Sequence, residues 1–188
     1  LIYGYGDTGK SFERYLEDKK INFDIFDSNI AEHNQNYNLE DFDQILCSPG
    51  VPKDIFESIK SQNINTFTDV DIFFNEDKSV KIGITGTNRK STTAFHLHQL
   101  FNNYKPSNLV GNIGNTMLDF INNGKEFSII ELSSFQLDKM NQNRLDFGIL
   151  PGAGWFVCAC PLSVGNRAWA ALAGGSHMGR PHLGESTL

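Results

Sequence analysis

The stretch from Lys81 to Thr93 has the residue types and spacing that bind a nucleoside triphosphate. A short apolar run comes first, a polar loop follows, and Lys90-Ser91-Thr92 opens a helical pattern. Backbone amides of the loop and of the helix N-terminus can bind phosphate oxygens, Lys90 adds a positive charge, and the Ser91 hydroxyl can ligate Mg²⁺. An ordinary strand-to-helix turn is the alternative, and the Lys-Ser-Thr order favours phosphate binding over it.

This loop departs from the strict Gly-x-x-x-x-Gly-Lys-Ser pattern, because Ile84 and Arg89 stand where that pattern has glycines. Glycine lets the backbone approach a phosphate closely and tolerates a positive φ. An L-residue held in the left-handed region at position 89 costs roughly 1–2 kcal/mol, and its side chain could crowd the nucleotide. The sequence leaves open whether the loop binds ATP.

An acidic residue, Glu131, follows the apolar strand pattern of residues 127–130. A carboxylate at the end of a strand, downstream of a phosphate loop, can hold Mg²⁺ directly or through water. The alternative is a carboxylate that caps the next helix, and the spacing alone does not decide between the two.

A second glycine-rich turn lies near the start of the chain. Residues 4–9 match Gly-x-Gly-x-x-Gly between a predicted strand at 1–5 and a predicted helix that runs to about Lys19. Asp27 follows the second predicted strand at the distance expected for an acid that binds a ribose hydroxyl. The pattern predicts a Rossmann-type β-α-β unit; glycines required only for a tight turn are the alternative, and residues 4–11 also match the strict phosphate-loop pattern.

The composition limits the possible partners. The chain has 188 residues, 39% of them hydrophobic, and a net charge of −6, which suits one ordinary domain or two small ones. No basic patch stands out, so nucleic acid is not expected as a partner. No apolar run reaches the length of a membrane span, so we expect no membrane insertion and a cytoplasmic protein. The oligomeric state cannot be read from the sequence.

The order of elements predicts an α/β fold with two domains. We expect a Rossmann-like domain at residues 1–75 and an incomplete P-loop-type central domain at residues 79–150, separated by a polar linker. After Leu150 the composition changes: Lys and Asp are absent, and Gly175-Ser176-His177-Met178 resembles a cloning-vector scar. We therefore expect residues 151–188 to be foreign or frameshifted sequence that does not pack as a domain; a native, divergent tail is the alternative.

Four segments resemble the Mur ligase family, in the family's order and at similar spacing. The most discriminating of them resembles the branch that adds D-glutamate. The segments are Gly4-x-Gly6-x-Thr8-Gly9, Ser48-Pro49-Gly50-Val51-Pro52, Gly86-Thr87-Asn88-x-Lys90-Ser91-Thr92, and Gly111-Asn112-Ile113-Gly114 together with Glu131-Leu132-Ser133-Ser134-Phe135-Gln136-Leu137. The resemblance covers roughly residues 1–150.

The resemblance implies a role for individual residues. It implies that the uridine diphosphate end of the substrate binds near Gly6, Thr8, Asp27 and Ser28. The ATP site it implies consists of Gly86, Thr87, Asn88, Lys90, Ser91 and Thr92, with Ser91 and Glu131 serving Mg²⁺. The catalytic residues it implies are Lys90, Asn112 and Ser133, of which Asn112 and Ser133 also face the muramoyl substrate.

The resemblance also implies a reaction, in which ATP drives amide formation between UDP-N-acetylmuramoyl-L-alanine and D-glutamate during peptidoglycan synthesis. The family's Asn-x-x-x-Asp-His segment, its modified lysine and its third domain have no counterpart after Leu150. We therefore expect the chain to be inactive alone. Two alternatives stay open: a module that binds a UDP-sugar without catalysis, and an NAD-binding Rossmann protein.

Overall fold

The computed structural model describes residues 1–142, 144–151 and 156–159. Within these residues the chain forms two mainly parallel sheets with helices between the strands, which confirms the predicted α/β class with a Rossmann-like and a P-loop-type part. The strands are β1 (Ile2–Tyr3), β2 (Ile25–Phe26), β3 (Ile45–Cys47), β4 (Thr66–Phe67), β5 (Val80–Ile84), β6 (Ser107–Gly111), β7 (Phe127–Glu131), β8 (Phe147–Leu150) and β9 (Phe156–Ala159). The helices are α1 (Asp7–Asp18), α2 (Lys53–Gln62), α3 (Asp69–Glu76), α4 (Lys90–Asn102) and α5 (Ser134–Lys139).

The first sheet has the strand order β2-β1-β3-β4, and all its pairs are parallel. The central strand β1 pairs on both sides, since Ile2 lies opposite Ile25 and opposite Leu46. Helix α1 buries Phe12 and Leu16 against this sheet. In such an open sheet the order reverses between β1 and β3, and ligands bind in the crevice beyond the carboxyl ends of those strands.

The second sheet has the strand order β6-β7-β5-β8-β9. Its first four strands are parallel, and β9 pairs antiparallel with β8. Glu131 at the end of β7 lies opposite both Ile84 of β5 and Gly111 of β6. The loops that follow β5, β6 and β7 therefore leave the sheet at the same edge.

Helix α3 packs against both sheets. It begins with a capping box in which Thr68 and Asp71 exchange hydrogen bonds, because a threonine N-cap with an acid three residues later satisfies the free amides of the first turn. Val70 and Phe73 belong to an apolar cluster of the second sheet, while Ile72 belongs to a cluster of the first. The division into domains at residues 75 and 79 stays a prediction.

One predicted helix is wrong. The sequence predicts a helix after Asn115 that runs to about Ile121, and the structure has only a three-residue 3₁₀ turn, Leu118–Phe120. Met117 and Leu118 are consecutive, yet they pack into two different apolar clusters, and the backbone reaches a positive φ at Asn122. A helix that continued to Ile121 would not give the backbone the course that these contacts require.

The longest helix in the described part of the chain, α4, has 13 residues, and none there is long and apolar enough to cross a membrane. The prediction for residues 151–188 falls mainly outside the described residues. Of that segment, the structure describes Pro151 and the strand β9.

Candidate functional site

A cleft of about 560 Å³ lies beyond the carboxyl ends of β1, β2 and β3. Its walls contain all four residues to which the sequence assigns uridine diphosphate binding: Gly6, Thr8, Asp27 and Ser28. The cleft thus occupies the crevice at which parallel open sheets bind ligands. Further lining residues that the sequence did not assign to a site are Tyr5, Asp7, Phe26, Asn29, Ser48, Pro49, Gly50, Val51 and Ile55.

In the glycine-rich turn after β1, backbone segments pack closely, and the amides at the start of α1 receive no side-chain cap. Gly4 has a φ of +90°, and a Cβ on Gly9 would lie 2.3 Å from the Gly4 carbonyl oxygen. Gly6 is the N-cap of α1 and gives it no side-chain cap, so the first amides of the helix have no side-chain acceptor from the N-cap. An uncapped helix N-terminus is suited to bind an anion such as a diphosphate.

Asp27 connects two of the loops that line the cleft. Its Oδ2 accepts a hydrogen bond from the Tyr5 amide at 2.7 Å, and its Oδ1 accepts one from the Asn29 amide at 2.8 Å. These two backbone hydrogen bonds lower the pKa of the Asp27 carboxyl, since both favour the charged form. The carboxylate therefore fixes the cleft wall, and each of its oxygens keeps a lone pair for a ligand hydroxyl.

The loop after β3 forms the opposite wall of the cleft. Ser48 donates a hydrogen bond from its Oγ to the Gly4 carbonyl at 2.6 Å, and its amide donates to the Tyr3 carbonyl at 2.9 Å. The Val51 amide closes a turn onto the Ser48 carbonyl at 3.2 Å. In the sequence this segment supports the family resemblance alone, although its place after a strand also indicates that it lines a site.

The loop after β5 has the strained residue that the sequence indicated. Arg89 has φ +64° and ψ 12°, which is the left-handed conformation that glycine adopts without strain. Arg89 is also the N-cap of α4 and makes no side-chain cap, so this helix too begins without one. Lys90 extends along the loop, and its Nζ donates to the Gly86 carbonyl at 2.7 Å.

The other residues assigned to ATP lie around the same loop. Gly86 is buried with a φ of +142°, and a Cβ there would lie 3.3 Å from the Pro151 carbonyl oxygen. The remaining members are exposed at the loop and in the first turn of α4: Thr87, Asn88, Ser91 and Thr92. The structure therefore brings the predicted ATP residues together on one exposed turn.

Glu131 is a buried carboxylate with one unsatisfied oxygen. The residue is 1% exposed, its Oε1 accepts a hydrogen bond from Asn112 Nδ2 at 3.1 Å, and its Oε2 has no hydrogen-bond partner among the described residues. The alternative role as a helix cap is wrong, because Ser133 caps α5. A buried polar oxygen without a partner is costly, and a bound cation would compensate it.

The described residues fit Mg²⁺ when it arrives with a phosphate. They contain no group of three or more His, Cys, Asp or Glu side chains that could hold a metal ion. Mg²⁺ is commonly held by one or two protein oxygens, with phosphates and waters completing its shell. Glu131 and the Ser91 hydroxyl would be those protein ligands, and the free Oε2 is the observation that supports this.

Ser133 has a local structural role that the sequence analysis missed. Its Oγ accepts a hydrogen bond from the Gln136 amide at 3.2 Å, and Gln136 Oε1 accepts one from the Ser133 amide at 3.0 Å. This is a capping box, and the Ser-x-x-Gln spacing was its sequence signal. Asn112 and Glu131 do lie together, while Ser133 uses its hydroxyl to start α5.

Comparison with known proteins gives a consistent set of relatives. No family model matches the chain. UDP-N-acetylmuramoylalanine--D-glutamate ligase of Francisella tularensis subsp. tularensis is 36% identical over 162 residues, which is 80% of this chain and 37% of the relative. The protein of the same name from subsp. novicida is 37% identical over the same extent.

The alignment extends over four fifths of the chain. The chain spans only 37% of the length of these relatives, so the match concerns the family and not the whole of their activity. The resemblance seen in the sequence is confirmed: over its matched part, this chain is similar to Mur ligases, in relatives named as D-glutamate ligases.

Proposed function

We propose that this chain carries the uridine diphosphate site and the ATP site of a ligase that adds D-glutamate to UDP-N-acetylmuramoyl-L-alanine in peptidoglycan synthesis. The observation that supports it is a pair of glycine-rich turns on successive parallel sheets, each leading into a helix without a side-chain cap. Helix α2 also begins without a side-chain cap but does not follow a glycine-rich turn, and α3 and α5 begin with capping boxes. Two open helix N-termini suit two phosphate-bearing ligands.

The first turn would bind the uridine diphosphate. The amides at the start of α1 would donate to the diphosphate, and Thr8 in the same turn lines the cleft beside them. Asp27 would keep the turn in place and offer an acceptor to a ribose hydroxyl, since its oxygens already hold the Tyr5 and Asn29 amides. The site thus binds and orients a substrate and does no chemistry itself.

The second turn would bind ATP with Mg²⁺. Bound ATP would supply the phosphoryl group that activates the muramoyl carboxylate, after which the D-glutamate amine displaces phosphate and forms the amide. Lys90 would exchange the Gly86 carbonyl for a phosphate oxygen, because a charge-assisted hydrogen bond is the stronger of the two. Glu131 would hold the cation, and Asn112 fixes the orientation of its carboxylate.

Electrostatic stabilisation is what these groups can contribute to the phosphoryl step. Positive charge from Lys90 and Mg²⁺, together with the amides at the start of α4, opposes the charge that develops on the transferred group. The proposal implies a cytoplasmic location, because both nucleotides are cytoplasmic metabolites. The muramoyl part of the substrate would face Asn112 and Ser133, and D-glutamate has no site assigned among the described residues.

Separate titrations of UDP and of Mg²⁺–ATP test the proposal, with a variant at each site as the control for the other. Thr8→Val should weaken UDP binding about tenfold, which is about 1.4 kcal/mol, and leave ATP binding unchanged. Glu131→Gln should abolish the dependence of ATP binding on Mg²⁺ and leave UDP binding unchanged. A folded chain that binds neither nucleotide would refute the proposal.

A second candidate is a module that binds a UDP-sugar without catalysis. The observation that favours it is the left-handed conformation of Arg89 at the centre of the second turn. Binding of UDP without binding of ATP, both in this chain and in Arg89→Gly, would support the module. Saturable binding of NAD at the first turn would instead favour the nicotinamide alternative.

A further inference from the structure

A buried lysine of the second sheet holds the wall of the cleft on the first sheet. Lys139, in the last turn of α5, is 3% exposed. Its Nζ donates hydrogen bonds to the Pro49 carbonyl at 2.7 Å and to the Val51 carbonyl. These two carbonyls flank Gly50, and all three loop residues line the cleft assigned to uridine diphosphate.

The burial of this ammonium group has a desolvation cost. Lysine is rarely buried, and burial lowers the pKa of Lys139 because it disfavours the charged form. The neighbouring carboxylate of Asp138 forms its ion pair with Lys53 instead, at 2.9 Å. An unbranched apolar side chain would fill the same space without the desolvation cost. What the ammonium adds is a fixed position for two carbonyls of the cleft wall.

The other end of α5 is joined to the second candidate site. Ser133, the N-cap of α5, stands two residues after Glu131, and its capping box with Gln136 fixes how the helix starts. With six residues, α5 is about 9 Å long. It therefore forms a short, defined connection between the carboxyl end of β7 and the loop after β3.

The chain immediately after α5 is held to the first sheet as well. The Asn141 amide donates to Asp71 Oδ1 at 2.6 Å, and Asn141 Nδ2 donates to the Thr66 carbonyl at 3.0 Å. Lys60 on α2 donates to Asn141 Oδ1 at 2.7 Å. Because both α5 and the residue beyond it are anchored, a displacement at the cleft wall would be transmitted to α5 and not absorbed by a free end.

We infer that Lys139 is a positioning residue that couples the two nucleotide sites, by holding the Pro49–Val51 wall of the cleft in a fixed relation to Glu131 through α5. This inference rests on the proposed function of the two sites. By linkage, occupation of one site then changes the affinity or the dynamics of the other.

Hydrogen exchange and UDP titration on the whole chain test this inference with Lys139→Met, which keeps an unbranched side chain one atom shorter and removes the donors. Without nucleotide, amides of residues 48–51 should exchange faster in Lys139→Met than in the unaltered chain. UDP should bind about tenfold more weakly to the variant. In the unaltered chain, UDP should slow exchange at residues 132–137, and this response should be lost in Lys139→Met.

Lys60→Met is the matched control. Like Lys139→Met, it removes a lysine hydrogen bond, in this case the one from α2 to Asn141. Lys60 makes no hydrogen bond to the Pro49–Val51 wall of the cleft. It should leave UDP affinity and exchange at residues 48–51 unchanged. If Lys139→Met does not fold, Lys139→Gln keeps one donor group and should give a smaller loss in the same direction.

The outcomes separate the inference from the proposed function. Unchanged exchange at residues 48–51 in a folded Lys139 variant overturns the inference, whether or not UDP binds. Faster exchange with unchanged UDP affinity and an intact response at residues 132–137 overturns the coupling. Failure of the unaltered chain to bind UDP refutes the proposed function, and with it the coupling of two nucleotide sites.

Discussion

The two glycine-rich turns resemble each other in sequence but differ in how the helix after each begins. The first turn uses Gly6 as the N-cap of α1 and lines a cleft whose walls come from three loops. The second uses Arg89 as the N-cap of α4, in a left-handed conformation, and Lys90 is bound to the Gly86 carbonyl of its own loop. Under the proposed function, Lys90 of the second turn would have to leave the Gly86 carbonyl to contact a phosphate.

This difference concerns backbone conformation more than side-chain identity. Lysine, serine and threonine stand at the expected places in the second turn. The residue that precedes them, Arg89, has a strained left-handed backbone conformation. A loop can therefore keep the residues that bind phosphate and lose part of the backbone freedom that lets them do so.

The largest effect should come from breaking the first turn with Gly9→Ala. A Cβ at this position would lie 2.3 Å from the Gly4 carbonyl oxygen, so the backbone must move. We expect the free energy of unfolding in urea to fall on the order of 3 kcal/mol, together with a loss of UDP binding.

Gly50→Ala is the control for that experiment, because no atom lies within 4 Å of a Cβ built there. It should change the free energy of unfolding by less than about 0.5 kcal/mol. A Gly9→Ala protein as stable as the unaltered chain would mean that the first turn is not close-packed, and the contrast between the turns would disappear.

A smaller effect should come from Asp69→Asn, which tests whether the two regions share one core. Burial raises the pKa of Asp69 from 3.8 to about 6, and its Oδ1 has no hydrogen-bond partner among the described residues. A raised carboxyl pKa means that the folded state holds its proton more tightly than the unfolded state. The resulting penalty is absent below pH 3.8, grows between pH 3.8 and 6, and is complete above pH 6.

We therefore expect Asp69→Asn to raise the free energy of unfolding by about 2 kcal/mol at pH 7.5, after allowance for the lost charge at the start of α3. At pH 4 the gain should vanish. Urea unfolding followed at both pH values measures this, with the exposed Asp18→Asn as control. Because α3 packs against both sheets, a gain seen in only one of two unfolding transitions would show that the sheets unfold separately.

The smallest effect on stability should come from Arg89→Gly, which makes the second turn more like the first. Relief of the left-handed strain, less the entropy that glycine loses on folding, should raise the free energy of unfolding by about 0.5–1 kcal/mol. Titration with Mg²⁺–ATP should show several-fold tighter binding.

Arg89→Ala separates the two reasons for that gain, because it removes the long side chain and keeps the strained conformation. An equal gain in Arg89→Ala would assign the effect to crowding of the nucleotide. No gain in a folded Arg89→Gly protein would locate the defect outside residue 89.

Much of the fold could be predicted from the periodicity of apolar residues and from the glycines and capping residues that end the strands and begin the helices. The apolar runs before Gly4, Gly86 and Glu131 are strands, and the Thr-x-x-Asp spacing from Thr68 to Asp71 indicates the capping box that starts α3. The predicted helix after Asn115 failed because the tertiary path of Met117 and Leu118 overrides local preference. The sequence indicated that Arg89 stands where the phosphate-loop pattern has a glycine, and the structure shows a positive φ at this residue.

The candidate sites were less accessible to the sequence. Spacing predicted that Asp27 lies near a nucleotide, but its hydrogen bond from the Tyr5 amide depends on how β1 and β2 pair. The capping role of Ser133 was readable from its spacing to Gln136. Lys139 had no such signal, because its acceptors lie about 90 residues earlier in the chain and meet it only in the folded protein.

The antiparallel pairing of β9 with β8 has a consequence for how this chain behaves in concentrated solution. A parallel sheet that ended at β8 would expose a row of unpaired backbone amides and carbonyls, with which a strand of another molecule could pair. Instead, β8 pairs with β9 of the same molecule, with Gly148 opposite Cys158 and Ile149 opposite Val157. A strand of a second molecule could therefore pair with β8 only by displacing β9, and would otherwise have to add to β9 itself.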